Sequence, residues 1–235
     1  MSVPPLSPAD IEKIDQEFRM RAQSVQAIDK MIGDIRAMLA ARGDDNTYVI
    51  FSSDNGLHMG EYSLRPGKMT PFEIDIHVPL VIVGPGVAKG RVVNEIVENV
   101  DLYATFTELG RASSPASTDG HSIVPLLRGD AVADWRNVAL IEHHRNRPYP
   151  NDPDAQVELA ANPTSYAALR TENALYVEYE DGETGYYDLG NDPEELRNVA
   201  ASLPAAQRRR LHDALRANKE CQGAQACWNA QHLTP

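Results

Sequence analysis

The chain has 235 residues, enough for one large domain or for one medium and one small domain, with room for a sizeable core. It carries 34 acidic and 22 basic residues, which gives a formal net charge of −12. Because so acidic a chain is poorly suited to a phosphate backbone, we expect no nucleic-acid partner, and any anion site must be a local basic pocket with a metal.

Signals for membrane insertion or export are not evident along the chain. No run of about 18 or more apolar residues occurs, so we expect no transmembrane helix and no membrane partner. The N-terminal residues lack a basic leader and an apolar segment, so no signal peptide is visible. A periplasmic or secreted location stays open for a full-length protein. From their spacing alone, Cys221 and Cys227 could close a small ring or stay free thiols.

The first predicted element is a long helix. Ser7 and Asp10 have the spacing of a capping box, and the proline between them suits a first helical turn. Apolar residues then recur at spacings of three and four over residues 11–39, which predicts an amphipathic helix packed on a core. Gly43 is the expected end of this helix.

The remaining elements form two groups. Before residue 130 we predict buried strands over 48–51 and 79–83, a short strand over 92–97, a helix over 101–109 and a helical turn over 122–127. After it we predict a strand over 138–142, a long loop over 145–163, an antiparallel meander over 165–170, 174–179 and 185–189, and a helix over 204–218. The fold class is therefore α/β, with a larger layer followed by a smaller antiparallel sheet with a helix. The larger layer is incomplete, because two convincing strands are fewer than a parallel sheet needs.

A polar cluster follows the first strand directly, at the end of a strand where α/β sheets bind ligands. Asp54 and Asn55 offer the oxygen donors that hard divalent cations need, and Gly56 lets the backbone turn sharply. Lys68 follows behind a Pro-Gly pair, so the loop could return it to the same place, and His58 lies between them. These residue types suit a site in which a metal ion binds an anionic group. Asp-Asn-Gly is also a common turn sequence, and each of these side chains could instead be structural.

The order of motifs along the chain resembles that of the sulfatase family, in the alkaline-phosphatase-like superfamily. The shared motifs are DNG-x-H-x-G-E at 54–61, Pro-Gly-Lys at 66–68, TPFE-x-D-I-x-VPL at 70–80, GPG at 84–86, NVDLYATFTELG at 99–110, DGHSIVPLL at 119–127 and YYDLGNDPEELRNVA at 186–200. The likeness is to N-acetylglucosamine-6-sulfatases and arylsulfatases in particular. It implies part of an alkaline-phosphatase-like sheet with flanking helices: residues 1–130 would be the C-terminal part of the catalytic domain, and residues 131–235 a small subdomain.

The resemblance also implies roles for individual residues. Asp54 and Asn55 would bind a divalent cation, Ca²⁺ or Mg²⁺, through a carboxylate and an amide oxygen. Lys68 would contact the sulfate oxygens and offset the charge that develops on the leaving group. His58 would lie near the sulfate or the sugar and donate a proton to the leaving oxygen. His77 stands where many family members have Arg or Lys, and we expect it to pack beneath the loop rather than touch substrate.

Two parts of the family's site are not in this sequence. Sulfatases convert a Cys or Ser in a Cys-x-Pro/Ala-x-Arg motif to formylglycine, and neither Cys221 nor Cys227 begins such a motif. The paired aspartates that open the family's metal site are absent too. We therefore expect a C-terminal portion of a sulfatase, inactive alone and completed by an N-terminal half that carries the formylglycine. The resembling sulfatases often pair cysteines at this terminal position, which favours a Cys221–Cys227 disulfide.

The expected function is hydrolysis of a sulfate monoester, with a sulfated sugar as one candidate substrate. A first alternative is a phosphodiester or phosphonate monoester hydrolase of the same superfamily, which usually has Asp-His where this chain has Asp54 and Asn55. A second alternative is a non-catalytic remnant that binds a partner or a sulfated glycan. The absent nucleophile favours the remnant, and the presence of Asp54, Asn55 and Lys68 opposes it.

Overall fold

The computed structural model describes residues 4–145 and 160–234, and the contacts divide the chain into two units. Unit 1 comprises residues 1–87 and 147–162, and unit 2 comprises residues 88–146 and 163–235. Most of the predicted loop over residues 145–163 lies outside the described residues. The predicted boundary at residue 130 concerns the domains of a complete protein and stays a prediction.

Unit 1 contains two helices and two strands within its described residues. These are α1 (Pro8–Arg42), β1 (Val49–Ser52), α2 (Glu73–Ile76) and β2 (Leu80–Val83), with a 3₁₀ turn at Glu61–Ser63. The strands pair antiparallel, with Val49 opposite Val83 and Ser52 opposite Leu80. The residues that follow β1 therefore lie beside the start of β2, and the loop between the two strands is closed at its base.

The boundaries of α1 confirm the prediction from the capping sequence. The Asp10 backbone N–H donates to Ser7 Oγ at 3.2 Å, and the Ser7 backbone N–H donates to the Asp10 carboxylate at 3.1 Å. These bonds from Ser7 also hold the pKa of Asp10 below its ordinary value. The helix ends at Gly43, whose φ of 64° lies in the left-handed region that favours glycine.

The prediction that α1 packs on a core is wrong for the described chain. Ile14 is its single buried residue, and Phe18 is 61% exposed. The periodicity correctly marks an apolar side of the helix, but periodicity does not show whether the chain also supplies the surface that covers it.

The predicted strand over residues 92–97 is also wrong. No strand forms there, and Val92 is 80% exposed. β-branched residues favour a strand only where a neighbouring strand pairs with them, and the described part of the chain offers none at this place.

Unit 2 is built on an antiparallel sheet, as predicted. Its elements are α3 (Asp101–Leu109), α4 (Val124–Arg128), β3 (Val138–His143), β4 (Tyr166–Thr171), β5 (Ala174–Tyr179), β6 (Thr184–Asp188), a 3₁₀ turn (Ala200–Ser202), α5 (Ala205–Glu220) and α6 (Ala224–Ala230). The sheet order is β3-β4-β5-β6. Leu211 and Leu215 of α5 bury their side chains against Val138 and Leu169 of the sheet, which stabilises the unit by about 1.5–3 kcal/mol per leucine. Helix α6 was not predicted.

Within the described residues, no helix has both the length and the apolar character of a membrane span.

A disulfide joins Cys221, directly after α5, to Cys227 in α6. This confirms the pairing that the family resemblance favoured. We expect thiol labelling of the denatured, unreduced protein to modify neither cysteine, and reduction to lower the free energy of unfolding by roughly 2 kcal/mol, since the closed ring is short. Two labelled thiols after production in an oxidising compartment would contradict this.

Candidate active site

The candidate site lies in the loop between β1 and β2, and a close contact between two backbone segments shapes it. The Gly56 N–H donates to the Asp75 carbonyl at 2.8 Å. A Cβ at position 56 would lie 2.0 Å from the Ile74 carbonyl oxygen. Only glycine fits so close an approach, so the DNG sequence is required for the shape of this loop and not only for its chemistry.

A short antiparallel bridge then folds the loop back on itself. The His58 N–H donates to the Gly67 carbonyl at 2.9 Å, and the Gly67 N–H donates to the His58 carbonyl at 3.1 Å. Lys68 follows directly, and its Nζ donates to Asn55 Oδ1 at 3.4 Å. The predicted return of Lys68 to the end of β1 is therefore present in the structure.

Asp75 organises the interior of the loop. It is 4% exposed, and its carboxylate accepts hydrogen bonds from the His58 N–H at 2.9 Å, from the Thr70 N–H at 2.9 Å and from Thr70 Oγ1 at 2.6 Å. Sequence reasoning missed both Asp75 and Thr70. The available signal was a carboxylate directly between two isoleucines, since a buried polar group must be hydrogen-bonded.

His58 lies beneath the loop, with no exposed surface. Its Nδ1 is 2.9 Å from Asp75 Oδ2, and its Nε2 is 2.9 Å from the Ala160 carbonyl oxygen. A carbonyl oxygen can only accept, so the Nε2–H of His58 donates to Ala160, while Nδ1 shares a hydrogen bond with the Asp75 carboxyl group. This arrangement favours the structural alternative for His58. Its direct catalytic role stays a prediction.

Three non-glycine residues of the loop have positive φ angles. Tyr62 and Ser63 lie at 56° and 60°, and Met69, next to Lys68, lies at 89°. Such conformations cost about 1–3 kcal/mol each and persist where the surroundings enforce them, often at functional sites. Met69 lies between Gly67 of the bridge and Thr70, whose N–H donates to Asp75.

Asp54 and Asn55 were the predicted metal ligands, and they stand at the end of β1. Asp54 is exposed, while Asn55 is half-buried and donates from Nδ2 to the Gly56 carbonyl at 2.7 Å. This bond directs Oδ1 to the side where Lys68 lies. One carboxylate and one amide oxygen are the right donors for Ca²⁺ or Mg²⁺, but both ions need six or more oxygens. In the part of the chain that the structure describes, no group of three or more His, Cys, Asp or Glu could hold a metal ion.

The expectation that His77 packs beneath the loop is wrong. Its side chain is 75% exposed, and Nδ1 lies 3.2 Å from Glu73 Oε2 one turn earlier. The short helix α2 ends at residue 76, so His77 leaves the loop's interior and faces solvent.

We expect His58→Gln to destabilise unit 1 by roughly 1–3 kcal/mol, because it leaves the buried Asp75 side chain and the Ala160 carbonyl without the ring that bonds to both. Urea unfolding followed by circular dichroism measures this change. His77→Gln is the matched control, and we expect it to shift stability by less than about 0.5 kcal/mol. Equal stabilities of the two variants would show that the buried bonds of His58 do not stabilise the unit.

Sequence comparison with known families finds two family models that match the chain. The family model described as "Sulfatase" matches residues 4–112, and the one described as "N-sulphoglucosamine sulphohydrolase, C-terminal" matches residues 60–220. N-acetylglucosamine-6-sulfatase of Homo sapiens is 32% identical to the chain, and the match covers 93% of this chain and 44% of the human protein.

Solved structures show the same likeness. A protein solved with its substrate D-glucosamine-2-N,6-O-disulfate superposes with a TM-score of 0.71 at 26% identity, covering 83% of this chain and 39% of that protein. The phosphonate monoester hydrolase of Agrobacterium radiobacter superposes with a TM-score of 0.66 at 32% identity, covering 81% of this chain and 39% of that protein.

The fold is a mixed α/β fold of the alkaline-phosphatase-like type. The chain belongs to the sulfatase family. It spans less than half the length of the curated N-acetylglucosamine-6-sulfatases that it matches.

Proposed function

We propose that the chain forms part of an enzyme that hydrolyses a sulfate monoester on a sugar. The observation that carries this proposal is the hydrogen bond from Lys68 Nζ to Asn55 Oδ1, 3.4 Å long, at the end of β1. Asp54 is the residue directly before Asn55. A cation and two oxygen donors at one place suit an anionic ester group with a metal. The human relative's name and the glucosamine disulfate of the solved structure support a sulfated sugar as the substrate class.

Each residue of the loop has a definite part in this proposal. Asp54 and Asn55 would hold a divalent cation, Ca²⁺ or Mg²⁺, together with ligands from outside these 235 residues. When bound, such a cation neutralises charge on the ester oxygens. Lys68 would contact the sulfate and not the ion, and its charge would stabilise the departing oxygen. The formylglycine nucleophile would come from a segment that carries the Cys-x-Pro/Ala-x-Arg motif, in an N-terminal half of the same enzyme.

His58 would serve this site by holding the loop that presents Lys68. Proton donation by His58 to the leaving group remains the alternative proposal. It requires the ring to give up its bond to the Ala160 carbonyl or to Asp75, since both nitrogens are engaged. A general acid must lie within hydrogen-bond reach of the atom that it protonates.

Hydrolysis of a phosphonate monoester is a second candidate, and the likeness to the Agrobacterium radiobacter enzyme favours it. Asn55 opposes it, because those enzymes usually have histidine at this position. The test compares turnover of 4-nitrophenyl sulfate and 4-nitrophenyl phenylphosphonate by the assembled enzyme, with the nucleophile-bearing segment present. We expect faster sulfate turnover, whereas faster phosphonate turnover would replace the proposal. No turnover of either ester would favour the non-catalytic remnant.

A further inference from the structure

Helix α5 carries basic side chains along one side. At 100° per residue they fall within an arc of about 100°, and no acidic residue lies in that arc, although Asp213 and Glu220 lie beside it. All the basic members are exposed, and together they span about 17 Å of the helix. They are Arg208, Arg209, His212, Arg216 and Lys219, and we call this set the α5 basic stripe.

Stabilisation of the helix does not explain these positions. Arg208 closes the first turn of α5, where the positive end of the helix dipole disfavours cations, and that turn has no acidic residue. Arg209 precedes Asp213 by four positions. Arg216 precedes Glu220 by the same spacing, and in both pairs the cation comes first, which is the weaker order for a helical ion pair.

A cleft adjoins the N-terminal half of the stripe. It is open, has a volume of about 550 Å³, and lies between α5 and the hairpin of β5 and β6. The guanidinium of Arg208 is held at its edge, because Nη2 donates to the Ala200 carbonyl at 2.9 Å. A guanidinium has five N–H donors, so this bond leaves others to face a ligand. The residues that line the cleft include Tyr179, Thr184, Arg208, Arg209 and His212.

Two carboxylates also line the cleft. Glu178 Oε1 accepts from Tyr176 Oη at 2.5 Å, and His212 Nδ1 lies 2.8 Å from the same oxygen. Glu183 is the second carboxylate, and it is exposed. Carboxylates and hydroxyl groups suit the hydroxyl groups of a sugar, but they repel the closely spaced phosphates of a nucleic acid. The cleft therefore favours a carbohydrate, while the arginines beside it favour an anion.

We propose that the α5 basic stripe and the adjoining cleft bind a chain of sulfated sugars. The choice of ligand rests on the proposed function, in which the substrate is a sulfated sugar. The surface belongs to unit 2, and none of its residues is in the loop after β1. A chain with a net charge of −12 does not attract a polyanion by its overall field, so a local stripe of arginines must do so. Its length suits several anionic groups of a polymer, and such binding would raise the concentration of a polymeric substrate around the enzyme.

Binding of heparin, a sulfated polysaccharide, tests this surface without any measurement of turnover. The full chain is titrated with heparin at about 0.15 M salt, and in parallel with desulfated heparin and with double-stranded DNA. Arg209→Gln combined with Arg216→Gln removes two charges from the stripe. Arg19→Gln combined with Arg36→Gln is the matched control, because it removes the same charge from α1. All four positions are exposed on helices, so we expect both variants to fold, which circular dichroism checks.

We expect the dissociation constant for heparin to rise at least about tenfold in the α5 variant, because each lost guanidinium removes a charge-assisted contact, and less than about twofold in the control. The unmodified chain should bind desulfated heparin and DNA at least about tenfold more weakly than heparin. No heparin binding, or an equal loss in both variants, would overturn the proposal. DNA binding as tight as that of heparin would overturn it too, in favour of a nucleic-acid surface. Heparin binding that depends on α5, without sulfate turnover by the assembled enzyme, would support this surface and contradict the proposed activity instead.

Discussion

In the assembled enzyme, Asp54→Ala is expected to abolish metal binding and sulfate turnover together, while Lys68→Ala lowers turnover about 10²–10³-fold and leaves the metal bound. The two outcomes differ because Asp54 would bind the metal ion, whereas Lys68 would contact the sulfate ester. Asp54 supplies the single carboxylate of this part of the site, so its loss removes charge from the coordination shell. An ammonium group has no lone pair for a metal, so Lys68 would act on the anionic ester and not as a ligand.

Metal content and turnover must be measured on the same preparations. Metal analysis after gel filtration gives the first, and initial rates on 4-nitrophenyl sulfate give the second. Lys30→Ala is the control for Lys68→Ala, because Lys30 is exposed on the polar side of α1 and pairs with Asp34 at 2.6 Å. We expect this control to keep full activity. A Lys68→Ala enzyme that loses its metal, or an Asp54→Ala enzyme that keeps both, would contradict the assigned roles.

A second large effect is expected on the sulfatase activity of the isolated chain. Purified alone, it is expected to show no turnover of 4-nitrophenyl sulfate above the rate of the buffer. Covalent catalysis needs an attacking atom, and the sequence offers neither the cysteine nor the serine motif from which formylglycine forms. A cation and a lysine stabilise a transition state but do not replace the nucleophile.

The control for this assay is the assembled enzyme, measured at the same chain concentration and with calcium or magnesium present. Turnover by the chain alone that disappears in its Lys68→Ala variant would show that the loop after β1 is a complete site. The proposed division of the active site between two segments would then be wrong.

The sequence predicts well those features that are set by neighbours along the chain. Ser7, Asp10 and Gly43 mark the ends of α1 because capping is a local interaction. The alternation of apolar residues and the turn at Gly182 define the meander of β4, β5 and β6, because side chains on a strand alternate between its two faces.

Features that depend on distant residues could not be predicted in the same way. His58 is 17 residues from Asp75 and 102 residues from Ala160, so its burial follows from contacts that local patterns do not contain. The same limit applies to α1, whose periodicity marks an apolar side but does not show what covers it. Lys68 was placed correctly because its return to Asn55 needs only a closed loop of moderate length.

Calorimetric titration of the isolated chain with calcium tests the central claim most directly, namely that Asp54 and Asn55 are one part of a divided metal site. Two oxygens cannot offset the dehydration of an ion that takes six to eight ligands, so we expect no binding, or a dissociation constant weaker than about 10⁻³ M. Asp45→Ala, a change at a neighbouring exposed aspartate, should give the same result as the unmodified chain. Tight calcium binding by the chain alone, abolished by Asp54→Ala and retained in Asp45→Ala, would show that the site is whole and would contradict the account.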